Sequence, residues 1–282
     1  MKLGVCLESL GLPLRRALDS AARMGAAGVQ VSAIGDLSPD RLSQTGRREI
    51  RNLLRSLNLE LTALGCPLRR GLDHFENLQP RIEHVRSIMS LSYDLGARVA
   101  IVDMPPIPAP RPAEPAAPAF SASGLILGSA PQATEPATVL RESLSDLGAH
   151  GNRTGTVLAL EIGIDPAEKV ADYLATFDSD GLGVNYDPAN MLVNGHDPIR
   201  GIAPLHAKLV HVHASFARRT SAGRGAAEVP LGAGEVDWMT FVAVLGTVGY
   251  RGWLVADRTE GANRPADIAN GLDVLRRFIK PA

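Results

Sequence analysis

The chain has 282 residues, with 30 acidic side chains against 29 lysines and arginines and a formal net charge of −1, a length that suits two ordinary domains or one large α/β barrel. The balanced charge argues against nucleic acid or an anionic membrane as partner, and no apolar run reaches the roughly 18 residues of a membrane span. Cys6 and Cys66 lie far apart in no metal or redox motif, and the opening MKLGVCLESLGLPL is too short an apolar stretch for export, so a reduced, cytoplasmic protein is expected.

Short β-like runs alternate with helical patterns from end to end. Strands are expected near 2–8, 28–34, 60–66, 98–104, 156–163, 182–187, 209–216 and 252–257. A helix is expected over 39–58, where Leu42, Ile50, Leu53, Leu54 and Leu57 recur at helical spacing. Ser38 stands as its N-cap and Pro39 at its first position. Another helix opens at DPAE, with Asp165 capping, Pro166 at the start and Glu168 completing a capping-box-like arrangement. Eight strand–helix pairs describe a parallel (β/α)8 barrel, one domain spanning 1–282. No Gly-x-Gly-x-x-Gly follows the first strand, which disfavours the alternative, an open doubly wound sheet.

Residues 105–136, PPIPAPRPAEPAAPAFSASGLILGSAPQATEP, break the rhythm. Their proline density forbids a regular helix or central strand over most of the segment. The segment follows the fourth strand and leaves from the C-terminal face of the barrel. It reads either as a tolerated surface insertion or as a lid or subunit-contacting arm, and the arm carries a homo-oligomer with it. Phe120, Leu125, Ile126 and Leu127 would give such an arm something to dock with.

In LVHVHASFARR (209–219), His211 and His213 sit two apart in an apolar run. On a regular strand they share a face with Leu209, while Val210 and Val212 point the other way. An isolated pair of this kind reads as satisfied core histidines as readily as ligands. The neighbouring strands change that. Val157, Ala159 and Glu161 are expected inward, with Leu158 and Leu160 against the helices. Asn185 and Asp187 face in, with Val184 and Tyr186 out. Val255 and Asp257 face in, with Leu254 and Ala256 out. Four consecutive strands thus aim an acid or imidazole inward near their C-terminal ends, where such barrels keep their chemistry. Three crowded carboxylates repel one another and resist burial. A divalent cation resolves this. Oxygen-rich ligands with one imidazole suit Mn2+ or Mg2+ best, and Co2+ or Zn2+ also fit.

LALEIG (158–163), VNYDPANM (184–191), LVHVHASFARR, VPLGAGEVDW (229–238) and GYRGWLVADR (249–258) together resemble the xylose-isomerase-like barrels, the sugar phosphate isomerase/epimerase superfamily that also contains endonuclease IV. The resemblance runs over nearly the whole chain. It implies one metal held by Glu161, Asp187, His213 and Asp257. It implies Arg219, six places after His213, as a substrate contact, and His211 as part of the substrate site one layer deeper. Three positions depart from the pattern. Asp257 replaces a Glu, Phe216 replaces an acid, and Asn190 stands where relatives often carry a His. Asn190 can hydrogen-bond a substrate oxygen but cannot shuttle protons.

The activity so implied is that of a metal-dependent sugar, or sugar phosphate, isomerase or epimerase. The metal would serve as Lewis acid and template while a proton leaves the carbon beside a carbonyl. Glu161 and Asp257 would act as acid and base on opposite substrate faces. Asp is shorter by one methylene, about 1.5 Å of reach, and proton transfer needs hydrogen-bond proximity. The same three departures define the alternative, a non-catalytic sugar-binding barrel with a degenerate metal site. Arg69 and Arg70, in CPLRRGLDH, read as a clamp for a substrate phosphate or carboxylate, or as solvated loop charges. Lys208 reads as a strand-entry residue at the barrel bottom.

Nucleic acid is not an expected partner. Endonuclease IV uses three metals, with histidines from strands three and four. Here those strands end ALGCP and IVDMPP, and Ala226, Ala227 and Glu228 precede the LGAG turn. His74, in a loop, and His84, in a predicted helix, are the histidines near strand three.

Overall fold

Every expected strand forms, and most are buried almost throughout, as strands of a parallel barrel covered on both faces are. The computed structural model describes residues 1–108, 135–220, 226–230 and 232–279. Its barrel strands are β1 (Lys2–Cys6), β2 (Gly28–Ser32), β3 (Glu60–Gly65), β4 (Val99–Asp103), β5 (Val157–Ile162), β6 (Leu182–Tyr186), β7 (Leu209–Ala214) and β10 (Trp253–Ala256). They are parallel and close in the order β1-β10-β7-β6-β5-β4-β3-β2. Helices connect them: α1 (Leu14–Arg23), α2 (Gln44–Ser56), α3 (Leu78–Leu95), α4 (Pro136–Thr154), α5 (Ala167–Ala175), α6 (Pro188–Val193), α7 (Ile202–Leu205), α8 (Trp238–Thr247) and α9 (Arg264–Arg276). The architecture is a TIM barrel. An antiparallel pair not anticipated in the sequence, β8 (Ala217–Arg219) with β9 (Ala226–Glu228), follows β7. Among the described residues no helix is long and apolar enough to cross a membrane.

Outward side chains of the strands and inward faces of the helices make one continuous core. It joins Leu158, Leu160, Val184, Tyr186, Val212 and Leu254 to helix residues such as Leu144, Leu147, Leu272 and Leu275. A separate small cluster of Ala63, Ile101 and Ala159, with Val99 and Val210 against it, fills the barrel floor. Val210 is therefore inside, contrary to simple alternation, and Leu209 belongs to the outer core. The cause is a register shift: Val184 pairs with Leu209 but Asn185 with His211, leaving Val210 as an extra residue on β7. Such a bulge places two successive side chains on one face.

Two helix starts also differ. The Ser38 hydroxyl donates to the Gly35 carbonyl at 2.9 Å and so finishes a preceding turn instead of capping. α2 begins later, where the Ser43 hydroxyl oxygen accepts from Gly46 N at 3.2 Å. At α5 the cap position falls to Pro166. Asp165 instead accepts from Ile107 N at 2.6 Å and from Lys169 Nζ at 2.7 Å, and Lys169 also donates to the Ile107 carbonyl at 2.9 Å. Both main-chain polar groups of Ile107 are thereby fixed, and its side chain is buried in the core.

That anchoring narrows the expected insertion. Residues 105–108 belong to the barrel, and Pro136 is already the first residue of α4. Phe120, Leu125, Ile126 and Leu127 lie outside the described residues. Replacing 109–134 by a short Gly/Ser bridge should leave cooperative unfolding intact, with Tm changed by less than about 5 °C, the scale of a 1–2 kcal/mol effect in a chain of this size. Loss of cooperativity would show the segment to be structural.

Candidate metal centre and active site

The site is stacked on the barrel floor in two polar layers. In the lower one, His211 is fully buried. Its Nδ1–H donates to Asn185 Oδ1 at 2.9 Å, and its Nε2 lies 3.3 Å from the Thr62 hydroxyl. An amide oxygen only accepts, so this bond fixes both the His211 tautomer and the Asn185 flip. Burial, with the charge of His213 nearby, drives the His211 pKa well below its ordinary value, and the ring stays neutral. His211 thus supports Asn185 and does not reach the open mouth.

Asn185 carries the order upward. Its Nδ2 lies 3.1 Å from Glu161 Oε2 and 3.1 Å from His213 Nδ1. His213 is itself oriented from β2, because its Nε2–H donates to Gln30 Oε1 at 2.8 Å. That leaves Nδ1 turned toward the carboxylates: 3.3 Å from Glu161 Oε2, and 4.0 Å from the Oδ2 atoms of both Asp187 and Asp257.

Each carboxylate has its own positioning. Asp187 directly follows β6 and caps α6, its Oδ1 accepting from Ala189 N at 2.7 Å and Asn190 N at 3.0 Å. Pro188 at the first helical position lets the chain turn there. Its other oxygen accepts from the Ser215 hydroxyl at 2.7 Å. Glu161 Oε1 accepts from the Asn190 side-chain amide at 3.0 Å. Gly163 permits that contact, since a Cβ there would lie 2.5 Å from Asn190 Cβ. Asp257 Oδ1 accepts from the Ser9 hydroxyl at 2.7 Å, and Ser9 Oγ also accepts from Arg258 N at 3.0 Å. Side-chain exposure separates the acids: 19% for Glu161 and Asp257, 5% for Asp187.

The electrostatics follow from this packing. Burial opposes the charged form of His213, but Glu161, Asp257 and Asp187 outweigh it and raise its pKa to about 9. Burial also works against the Glu161 carboxylate, yet His213, Asn185 and Asn190 hold it below the usual carboxylate range. Asp187 goes the other way: burial and the neighbouring Glu161 charge push it up, against the pull of His213 and Ser215.

Among the described residues, Glu161, Asp187 and His213 each present a ligand atom within 4.8 Å of the others. Two carboxylates and an imidazole, with the far imidazole nitrogen already hydrogen-bonded, are a donor set that fits a divalent cation. Asp257 stands just outside this group. Glu161, Asp187 and Asp257 line a cleft of about 150 Å3, together with Asn190, Ser215, Glu228 and Thr259.

Other expected residues fall elsewhere. Arg219 is exposed on β8, its Nε 4.0 Å from Glu235 and its main-chain N donating to the same carboxylate. Phe216 is buried and stacks on Trp238 at 4.6 Å, so an aromatic contact with α8 occupies the place of an acid. Arg70 pairs with the exposed Glu76, a solvated loop charge. Lys208 donates to the Ser179 carbonyl at the foot of β7. Glu228 accepts from Thr259 N at 3.0 Å and from the Thr259 hydroxyl at 2.6 Å, and it faces the buried Arg258 at 3.4 Å. It ties β9 to the loop after β10. Gln30, Ser9, Ser215 and Asp103 were not picked out in the sequence. Gln30 alone carried a signal, as a lone amide in the apolar strand GVQVS.

Fold and site together define a TIM barrel with a two-acid, one-imidazole cluster at its C-terminal mouth. The family model for the xylose isomerase-like TIM barrel matches residues 18–278, and the chain belongs to that family. Solved structures agree in fold. A xylose isomerase domain protein from Planctomyces limnophilus is 20% identical, covers 98% of this chain and 96% of its own, and has a TM-score of 0.79. A D-tagatose 3-epimerase-like protein is 17% identical, with 99% and 97% covered and a TM-score of 0.75. The 3-keto-D-glucoside 4-epimerase YcjR of E. coli is 17% identical, with 98% and 99% covered and a TM-score of 0.72. No curated protein matches the chain.

Proposed function

We propose that the chain is a divalent-metal-dependent isomerase or epimerase of a sugar, working by proton abstraction next to a carbonyl. The observation that carries this reading is the meeting of Glu161, Asp187 and His213 beside an open cleft. A bound cation would supply Lewis-acid polarisation of the substrate carbonyl. Glu161, held ionised and aimed by two amides, takes the proton. Asp257 lines the same cleft just after β10, its Oδ1 bound to Ser9 and its Oδ2 4.0 Å from His213 Nδ1. Asp257 would act as the second acid/base and as a weak or water-mediated fourth ligand. Asp187, largely buried, serves as ligand only. Asn190 lines the cleft and would hydrogen-bond a substrate oxygen once Glu161 is engaged. The likeness in fold to a D-tagatose 3-epimerase-like protein and a 3-keto-D-glucoside 4-epimerase supports the reaction class.

The position of Asp257 outside the three-residue group favours a second reading, a sugar-binding barrel without turnover. Metal content of the purified protein, followed by proton exchange from ketoses in D2O, separates the two. Exchange at turnover supports the isomerase; bound metal without exchange supports the binding protein.

Abasic duplex DNA should not be incised, even with excess Zn2+ or Mn2+. β3 and β4 end in Gly65 and Asp103, not histidine. Glu228 is bonded to Thr259 and Glu260, and His74 is exposed on its loop. Metal-dependent incision lost in His213→Ala would overturn this expectation.

A further inference from the structure

A cavity of about 320 Å3 lies at the end of the barrel opposite the metal cluster. It opens between the last turns of α2 and α3, beside Glu60, the residue that begins β3. Leu54, Leu59, Leu61 and Leu95 form its apolar wall, all of them buried in the core. Arg51 and Arg55, one turn apart on α2, line the same cavity.

The protein leaves these two arginines without a counter-charge. Among the described residues Arg51 meets no carboxylate, and its buried Nε has no hydrogen-bond partner. Arg55 is exposed and reaches the Asn52 amide oxygen at 3.4 Å. The acid on the lining, Glu60, is engaged by Lys2 at 2.6 Å. Elsewhere Arg47, Arg86 and Arg258 each have a carboxylate: Asp94, Asp146, and Asp267 with Glu228. Arg55 stands in the last turn of α2, where its charge suits the helix dipole. Arg51, a turn earlier, has no such use. Like charges four residues apart on a helix repel, and a buried donor without an acceptor costs its desolvation. An oxyanion between the two guanidiniums would relieve both, because their planar forks match carboxylate and phosphate oxygens. The leucines behind would cover an apolar body attached to it.

We propose that this cavity binds a small amphiphilic oxyanion, a carboxylate or phosphate monoester carried on a short apolar body, with Arg51 as its principal contact and Arg55 as the second. The assignment does not depend on the reaction at the barrel mouth.

Calorimetric titration of the full chain with hexanoate, hexyl phosphate, hexanol and inorganic phosphate tests it. One of the two amphiphilic anions should bind at one per chain. Hexanol and inorganic phosphate should bind at least about tenfold more weakly, since each lacks one half of the contact. The tighter of hexanoate and hexyl phosphate identifies the headgroup. Arg51→Met keeps the apolar stem and removes the donors, and it should weaken that anion about tenfold or more, on the scale of one charge-assisted hydrogen bond. Arg51→Lys, which keeps the charge and loses the fork, should fall between wild type and Arg51→Met. Arg55→Gln changes an exposed side chain, so it carries the test if Arg51→Met fails to fold, and it should weaken the anion roughly threefold. Arg69→Ala, at the mouth, should leave binding unchanged. No saturable binding of either anion, hexanol binding as tightly as both, or affinity within twofold of wild type in both Arg51→Met and Arg55→Gln overturns the proposal. Loss in Arg69→Ala instead would assign the anion to the mouth and overturn it as well.

Discussion

His213→Ala should abolish stoichiometric divalent-metal binding, while His211→Ala should keep it and lose stability instead. The two imidazoles are neighbours, with ring centroids 5.5 Å apart, yet their nitrogens are committed differently. His213 has Nε2 bound to Gln30 and Nδ1 directed at three carboxylates. Its removal takes away one of three converging ligands. Loss of an outer partner of a ligand costs about 10–100-fold in metal affinity, so loss of the ligand itself should exceed 100-fold. Gln30→Ala, which removes only the partner, should fall within the smaller range. His211 has both nitrogens spent on Asn185 and Thr62. Truncating it leaves a cavity and an unpaired amide oxygen, a loss of about 2–4 kcal/mol in unfolding free energy, with metal affinity changed by less than about tenfold. Metal analysis after gel filtration and thermal melts of both variants decide the matter. Equal loss of metal from two folded variants would overturn the choice of His213.

Saturating Mg2+ should stabilise the protein more at pH 9 than at pH 6.5. In the metal-free protein the folded-state pKa of His213 is raised to about 9, above an unfolded value near 6.5. A raised histidine contributes stability that is fully present below the unfolded value and is lost as pH climbs through the folded one. Asp187, also raised, disfavours the fold as it ionises, which acts in the same direction. Glu161 is lowered. Its contribution is present above its unfolded value near 4.5 and is lost only in acid, outside this window. Metal competes with the protons on His213 and Asp187. Each proton no longer displaced is worth about 1.4 kcal/mol per pH unit, so the stabilisation by metal should grow by about 3 kcal/mol between pH 6.5 and 9. The difference in Tm with and without Mg2+, followed across that range, reads it directly. A difference that is flat, or larger in acid, would argue against His213 Nδ1 as a ligand.

Alternation along β5, β6 and β10 made their inward acids legible, because a strand has a fixed period and one wrong step would bury a charge among helices. β7 obeyed the rule at His211 and His213 and broke it at Val210, since no residue type marks a bulge when both neighbours are apolar. Local capping signals at Ser38 and Asp165 were real but lost to tertiary partners, the Gly35 carbonyl in one case and the Ile107 main chain in the other. The meeting of Glu161, Asp187 and His213 came from chemistry that repeats in register, so it could be read. Their supports could not. Ser9 lies 248 positions from Asp257, and nothing near either residue announces the contact. Phe216 shows the same limit from the other side. Its stack on Trp238 explains why an acid is absent there, but neither aromatic alone implies it.

The clamp that Asp165 and Lys169 place on Ile107 has a bearing on how such a chain can change. With both main-chain groups of Ile107 bound and its side chain buried, the chain leaving β4 meets a fixed post four residues beyond Asp103, within the first residues of the proline-rich stretch. Residues added or removed beyond that post cannot shift the register of β4 against β5, and hence cannot displace Glu161. The remaining penalty is chain entropy, which rises by only about 0.6 kcal/mol for each doubling of loop length. Changes of length or composition in that stretch are thereby mechanically uncoupled from the strands that carry Glu161, Asp187 and His213, and the barrel mouth stays in place.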